Sequence, residues 1–238
     1  MVVQPAPSGS SMIVPFLLSL TAGYVDTAGF LALQGLFTAH VTGNFVTFGA
    51  SLVLGTSGAV AKLLALPIFC AVVMAVRLLS SALTPRWRFV FEVMLGLKVL
   101  LLSVGAGLAI EFGPFQNGDS LQAVTTGMVL VAAMAIQNAA HRVYLGSVPP
   151  STLMTGTTTQ IMIDLADVIY SRDKASSDQI RARVAMMSKN VIIFALGCAA
   201  AALSYAHYNV WCFLVPPMLG GFSLLVRLRE STKKEARI

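Results

Sequence analysis

Apolar residues fall in long runs separated by short polar or turn-rich stretches, and most of the runs are long enough to cross a bilayer. Residues 12–34 form the first. At about 1.5 Å per residue they just exceed the roughly 30 Å of hydrocarbon that a spanning helix must cover. A link over 35–41 leads to a shorter apolar piece from Thr42 to about Thr56, roughly 22 Å if helical throughout. Ala59–Leu83 is the third run, with Pro67 near its middle, where a missing N–H predicts a kink. The basic, aromatic triplet Arg86-Trp87-Arg88 separates it from a fourth run, Phe89–Ile110. An acidic, turn-rich loop, Glu111–Ser120, precedes Leu121–Tyr144. The pattern breaks again at Gly146–Ser151, which holds Pro149-Pro150, before a polar-flecked run from Met154 to Tyr170. A soluble loop is predicted over Ser171–Arg183, then two last runs, Val184–Tyr205 and Val210–Leu228, and a basic tail.

This pattern predicts an all-α polytopic membrane protein of about six transmembrane helices plus two short broken or re-entrant helices. The order of long span, break, short piece and two spans occurs twice. Thr42-Gly43-Asn44 and Thr155-Gly156-Thr157 each open a short piece just after a break. Two repeats are therefore expected at residues 12–111 and 120–229, joined by an external loop at 112–119. Residues 1–11 are read as a disordered tail and 230–238 as a basic cytoplasmic tail.

Charge gives the direction. If all eight runs crossed, the Arg86/Arg88 loop and the loop with Arg172, Lys174, Arg181 and Arg183 would lie on opposite sides, against the positive-inside rule. Re-entrant short pieces remove the conflict. Each repeat then crosses three times, so the repeats are inverted and both termini are cytoplasmic, with Lys62 the one cation on the wrong side.

Composition supports the class. The chain is 56% hydrophobic and 11% charged, against roughly 25% charged in soluble domains. The net charge of +6 sits mostly in short loops and the C-terminus, where it orients spans and does not suggest nucleic acid. Cys70, Cys198 and Cys212 lie in apolar runs without metal-ligand spacing and read as packing thiols. The N-terminus lacks a basic n-region and its first run is span length, so a cleaved signal peptide is not expected.

The run G-Y-V-D-T-A-G-F followed by F-T-A-H-V-T-G-N, with a later Q-N-A and M-T-G-T, resembles the YoaK-like family of small bacterial membrane proteins. That family is defined as a domain of unknown function. The resemblance covers most of the chain, its specific motifs lying at residues 23–44 and 137–157. It implies an integral protein of the bacterial cytoplasmic (inner) membrane with about six spans, and no substrate.

The stretch Gly23–Asn44 concentrates the chemistry. Asp26 stands in an apolar helix, where a charge costs about 2.5–3.5 kcal/mol on insertion scales and is a functional candidate by default. Gly23, Gly29 and Phe30 share its face, which suits a bound cation, a proton site or close backbone approach; the plain alternative is an Asp that caps the break or pairs with a buried lysine. Thr42, Gly43 and Asn44, like Thr155, Gly156 and Thr157, look like starts of half-helices. Such starts can point free N–H groups at a solute near mid-membrane, or can simply cap helices that stop for packing. His40 belongs to the same stretch. Gln137 and Asn138 are i,i+4 to His141 and Arg142, and Asn138 resembles Asp26 with its charge removed. Gln160, Asp164 and Asp167 form one stripe; pairing with the nearby arginines explains Asp167, while Asp164 is deep enough for proton coupling. Lys98 is deep in its run, and a Lys98–Asp26 or Lys98–Asp164 pair is the expectation. Glu92 and Lys189 need no role.

The expected binding residues are thus Asp26, His40, Thr42, Gly43, Asn44, Gln137, Asn138, Thr155, Gly156 and Thr157, with Asp26, Asp164 and Lys98 for proton or ion coupling. No metal site, cofactor or catalytic constellation is predicted, so an enzyme is not expected. The leading functional expectation is a secondary transporter or permease for a small polar or anionic solute. A passive pore and a non-transporting scaffold are the alternatives. The partners expected are the lipid bilayer and a small-molecule solute; small residues at Ala195, Gly197 and Ala199–Ala202 suit helix contact within the protein as well as a homo-oligomer.

Overall fold

The computed structural model describes residues 12–84, 87, 89–170 and 174–235; the expected N-terminal tail, Arg86, Arg88 and Arg172 lie outside them. Among the described residues the regular structure is helical: α1 (Ile13–Ala32), α2 (Asn44–Leu54), α3 (Ala59–Leu83), α4 (Val90–Phe112), α5 (Leu121–Tyr144), α6 (Met154–Tyr170), α7 (Lys174–Tyr208) and α8 (Val215–Glu235), with 3-10 turns at Val41–Gly43 and Asn209–Leu214. Apolar runs become helices because hydrocarbon leaves the backbone no other partners. The α3 helix runs through Pro67 without interruption.

Among the described residues four helices, α1, α3, α4 and α5, are each long and apolar enough to cross a membrane; a fifth such stretch, Ser177–Thr232, takes in most of α7 and α8. Contacts fix their directions. Ser19 meets Asn190 and Gly23 meets Phe194, so α1 and α7 run parallel. Glu92 pairs with Arg227 while Val99 packs on Gly220, so α4 and α8 are antiparallel. Gln137 bonds the Leu18 carbonyl and Gly127 packs on Leu36, so α5 opposes α1. One set of spans (α1, α4, α7) therefore points one way and the other (α3, α5, α8) the opposite way.

The short helices do not cross. Gln34 at the end of α1 and Gly58 at the start of α3 touch each other and Gly118, so the chain between them enters and leaves by one face. Lys62 is no stray cation: it is buried, with its ammonium 2.6 Å from the Ser51 hydroxyl, tying α2 to α3. Exchanging α1–α4 for α5–α8 in order maps the packing onto itself. The pairs α1/α7, α2/α3 and α4/α5 become α5/α3, α6/α7 and α8/α1, all of which are also in contact. The halves thus run in inverted senses.

Two boundaries differ from expectation. The α8 helix starts at Val215, after a 3-10 turn, and not at Val210, and it runs to Glu235, into the stretch predicted as a tail. The α7 helix begins at Lys174, ten residues before the predicted start, so most of the predicted loop is helix. Its first turns carry Asp178, Arg181 and Arg183, and Arg183 is ion-paired to Asp164 of α6 at 2.6 Å. Charge misled the reading: these residues are polar because that part of the helix extends past the level of Ile13, not because it is loop.

Candidate functional site

The first break is built by two side chains that hold backbone. The chain reverses where Gln34 (φ 55°) and Gly35 (φ 84°) adopt left-handed conformations, and the Gln34 amide donates to the Phe115 carbonyl at 2.9 Å. The irregular segment of residues 36–40 then turns back along α1. Asp26, only 4% exposed, accepts N–H bonds from Thr38 at 2.8 Å and Ala39 at 2.7 Å on one carboxylate oxygen. Its other oxygen lies 2.6 Å from Nδ1 of His40. Asn44, buried at the start of α2, accepts from the Phe37 N–H and donates to the Phe37 carbonyl, both at 2.8 Å. Irregular backbone at membrane depth requires such partners. The glycines on the Asp26 face serve this packing: a Cβ on Gly29 would stand 2.9 Å from the Thr38 methyl, and one on Gly23 only 2.2 Å from the Phe194 carbonyl oxygen.

The second break is constructed differently. Pro149 and Pro150 carry no N–H, so fewer donors need an acceptor and no carboxylate is required. Its polar groups are held by amides. Asn138 accepts from the Thr152 hydroxyl, Gln137 donates to the Leu18 carbonyl and to the Ser151 hydroxyl, and Asn190 donates to the Pro150 carbonyl while accepting from Ser19. The Asp26–His40 and Asn138–Thr152 pairs both span 14 positions. Asn138 thus occupies the place of Asp26 in the inverted half.

The two breaks meet. The His40 ring, one-third exposed, bonds Asp26 and lies close to the backbone of Thr152, with Phe194 edge-on at 5.4 Å. Two bonded pairs, Asp26–His40 and Thr152–Asn138, thus stand next to each other where the halves meet. A cavity of about 460 Å³ lies beside the first pair, lined by Asp26, Thr27, Phe37, His40, Phe194 and Cys198. A second, of about 290 Å³, lies beside the other, lined by Asn138, His141, Arg142 and Ser151 among others.

Several expected roles change. Thr42 is exposed and makes no cap; α2 starts without a side-chain cap bond, and the clamp comes from Asn44 reaching backwards. Thr155 and Gly156 are exposed, and the hydroxyls of Thr157, Thr158 and Thr159 donate to carbonyls four residues earlier in or just before α6. Gln137 and Asn138 bond the break and not His141 or Arg142. The expected lysine pair does not form: Lys98, fully buried, faces α8 at Gly220 and its ammonium has no partner among the described residues, while Asp26 holds the first break and Asp164 holds Gln160 and Arg183. Glu92 is buried on Arg227 and Ser231. Ser19, Ser151, Thr152 and Asn190 were missed; the one signal available was an amide, Asn190, inside an apolar run. Among the described residues no group of three or more His, Cys, Asp or Glu could hold a metal ion.

Inverted halves with paired intramembrane breaks define a polytopic membrane protein built around a central polar crossing. The chain belongs to the family described as "Protein of unknown function (DUF1275)", which it matches over residues 14–226. It is 29% identical over 227 residues to the UPF0700 transmembrane protein YoaK of Bacillus subtilis (strain 168), covering 92% of this chain and 95% of that protein. No solved structure matches.

Proposed function

We propose that the protein is a secondary transporter or permease for a small polar or anionic solute in the bacterial cytoplasmic membrane. The observation that carries this reading is the His40 ring lying between Asp26 of one half and Thr152 of the other. Discontinuous helices from inverted repeats, meeting near mid-membrane, are how alternating-access carriers bind solute. A cavity lies on each side of the crossing, so a small rocking of one half on the other exchanges which of them opens. Asp26 and His40 form the coupling pair, since intramembrane acids and imidazoles carry protons. The end of the bundle holding Arg142, Arg181, Arg183, Arg227 and Arg229 is assigned to the cytoplasm by the positive-inside rule, with both termini there. Tight contact of Gln34, Gly58 and Gly118 across the other end favours a gated carrier over an open pore.

The test uses liposomes containing purified protein and an internal pH dye, screened with gradients of carboxylates, purines and sugars. The expected result is solute-driven proton movement that His40→Gln reduces at least tenfold without loss of folded protein. Undiminished movement in a folded His40→Gln variant sinks the coupling role, and silence over the panel favours the scaffold alternative.

A further inference from the structure

The 290 Å³ cavity adjoins another of about 370 Å³ that follows the start of α6 past Gly156, Thr157, Gln160 and Arg183. Arg142, Val148 and Leu153 line both. Among the described residues no carboxylate lines either one. Two guanidinium groups do, and only Arg183 has an acid, Asp164, while Arg142 is exposed without an ion pair among the described residues. Behind Arg142 lies His141, 4% exposed, and neither of its ring nitrogens completes a hydrogen bond, although the backbone of Val148 and Pro149 lies close by. A polar group buried without a partner is costly, and this one borders the cavity. Gly156, whose N–H is one of the first donors of α6 left without a helical partner, lines the second cavity, and space around it is open. An anion is favoured at such a helix start.

We propose that the joined cavities bind a small organic carboxylate. Arg142 and the N–H of Gly156 at the start of α6 hold its charge, and His141 supplies a further polar contact. Phe69, Val73 and Val148 receive its apolar part, which selects against a hydrated inorganic anion. As the cytoplasmic mouth of a transport path the site rests on the transport reading; as a binding site it does not.

The experiment is isothermal titration and thermal unfolding of the full chain in detergent with acetate, butyrate and benzoate, with benzamide as a neutral match and sulfate as an inorganic anion. Carboxylates of growing apolar size are expected to bind progressively tighter, benzamide and sulfate at least tenfold more weakly than benzoate. Arg142→Gln, a change at an exposed position, is expected to weaken benzoate at least tenfold, and His141→Gln severalfold. Equal binding of benzamide, preference for sulfate, absence of carboxylate binding, or unchanged affinity in folded Arg142→Gln overturns the proposal. Carboxylate binding by a protein that moves no solute in liposomes overturns the transport reading and leaves the site standing; flux of another solute without carboxylate binding does the reverse.

Discussion

Replacing Asp26 separates its two jobs, holding the break and carrying charge. In Asp26→Ala the N–H groups of Thr38 and Ala39, now bonded at 2.8 and 2.7 Å, lose their carboxylate acceptor at a buried position. At about 1–3 kcal/mol for each orphaned group, the loss is about 2–6 kcal/mol. Polar bonds inside membranes measure toward the weak end of such ranges, which puts the expectation near 3 kcal/mol. Asp26→Asn is gentler. The amide oxygen keeps both N–H groups, and the amide nitrogen donates to Nδ1 of His40 once the ring proton sits on Nε2, facing Thr152. What disappears is charge assistance, about 2 kcal/mol over the set. Reversible unfolding in mixed micelles of detergent and dodecyl sulfate, followed by Trp fluorescence, gives the stabilities. The expected order is wild type, then Asn, then Ala, with Asp26→Asn folded but inactive in flux. A stability for Asp26→Ala within about 0.5 kcal/mol of wild type would refute the idea that Asp26 holds the break.

Other consequences can be checked directly. Gly23 and Gly197 let α1 and α7 touch backbone to backbone, a Cβ at either standing 2.2 or 2.3 Å from a carbonyl oxygen of the other helix; Gly23→Ala and Gly197→Ala should each cost about 1–3 kcal/mol, measured in the same micelles, whereas Gly107→Ala, with open space around it, should cost far less. Cysteines at Trp87 and Asp178 should react with an impermeant thiol reagent only from the cytoplasmic side and one at Gln116 only from the other, and labelling of Trp87→Cys and Asp178→Cys from opposite sides ends the inverted arrangement.

Much of the architecture was legible because the bilayer imposes length and charge asymmetry on the sequence. The reading of 121–144 and 154–170 as helices needed no tertiary information, and neither did the turning back of the short pieces. The equivalence of Asp26 and Asn138 was legible for a similar reason, each standing six positions before its helix ends. Contacts across the breaks were not. That Asn44 clamps Phe37, or that His40 reaches Thr152, depends on how an irregular segment folds back, and no periodicity encodes that. The Lys98 pairing failed for a related reason. A helix apolar on every side gives no phase, so the sequence could not say that Lys98 faces α8 and not α1. Thr42 misled because a good capping residue stood two residues before the amide, Asn44, that does the holding.

The early start of α7 has a mechanical corollary. Residues Lys174–Arg183 add about 15 Å of helix beyond the level at which α1 begins, strapped to α6 through Arg183 and Asp164. Asn190, clipped to Ser19 and Pro150, is the fulcrum of this arm. A tilt about the fulcrum too slight to measure inside the bilayer is magnified at the tip, which stands clear of the spans. A spectroscopic label at Asp178 would therefore read motions of the second break as a pointer reads a dial.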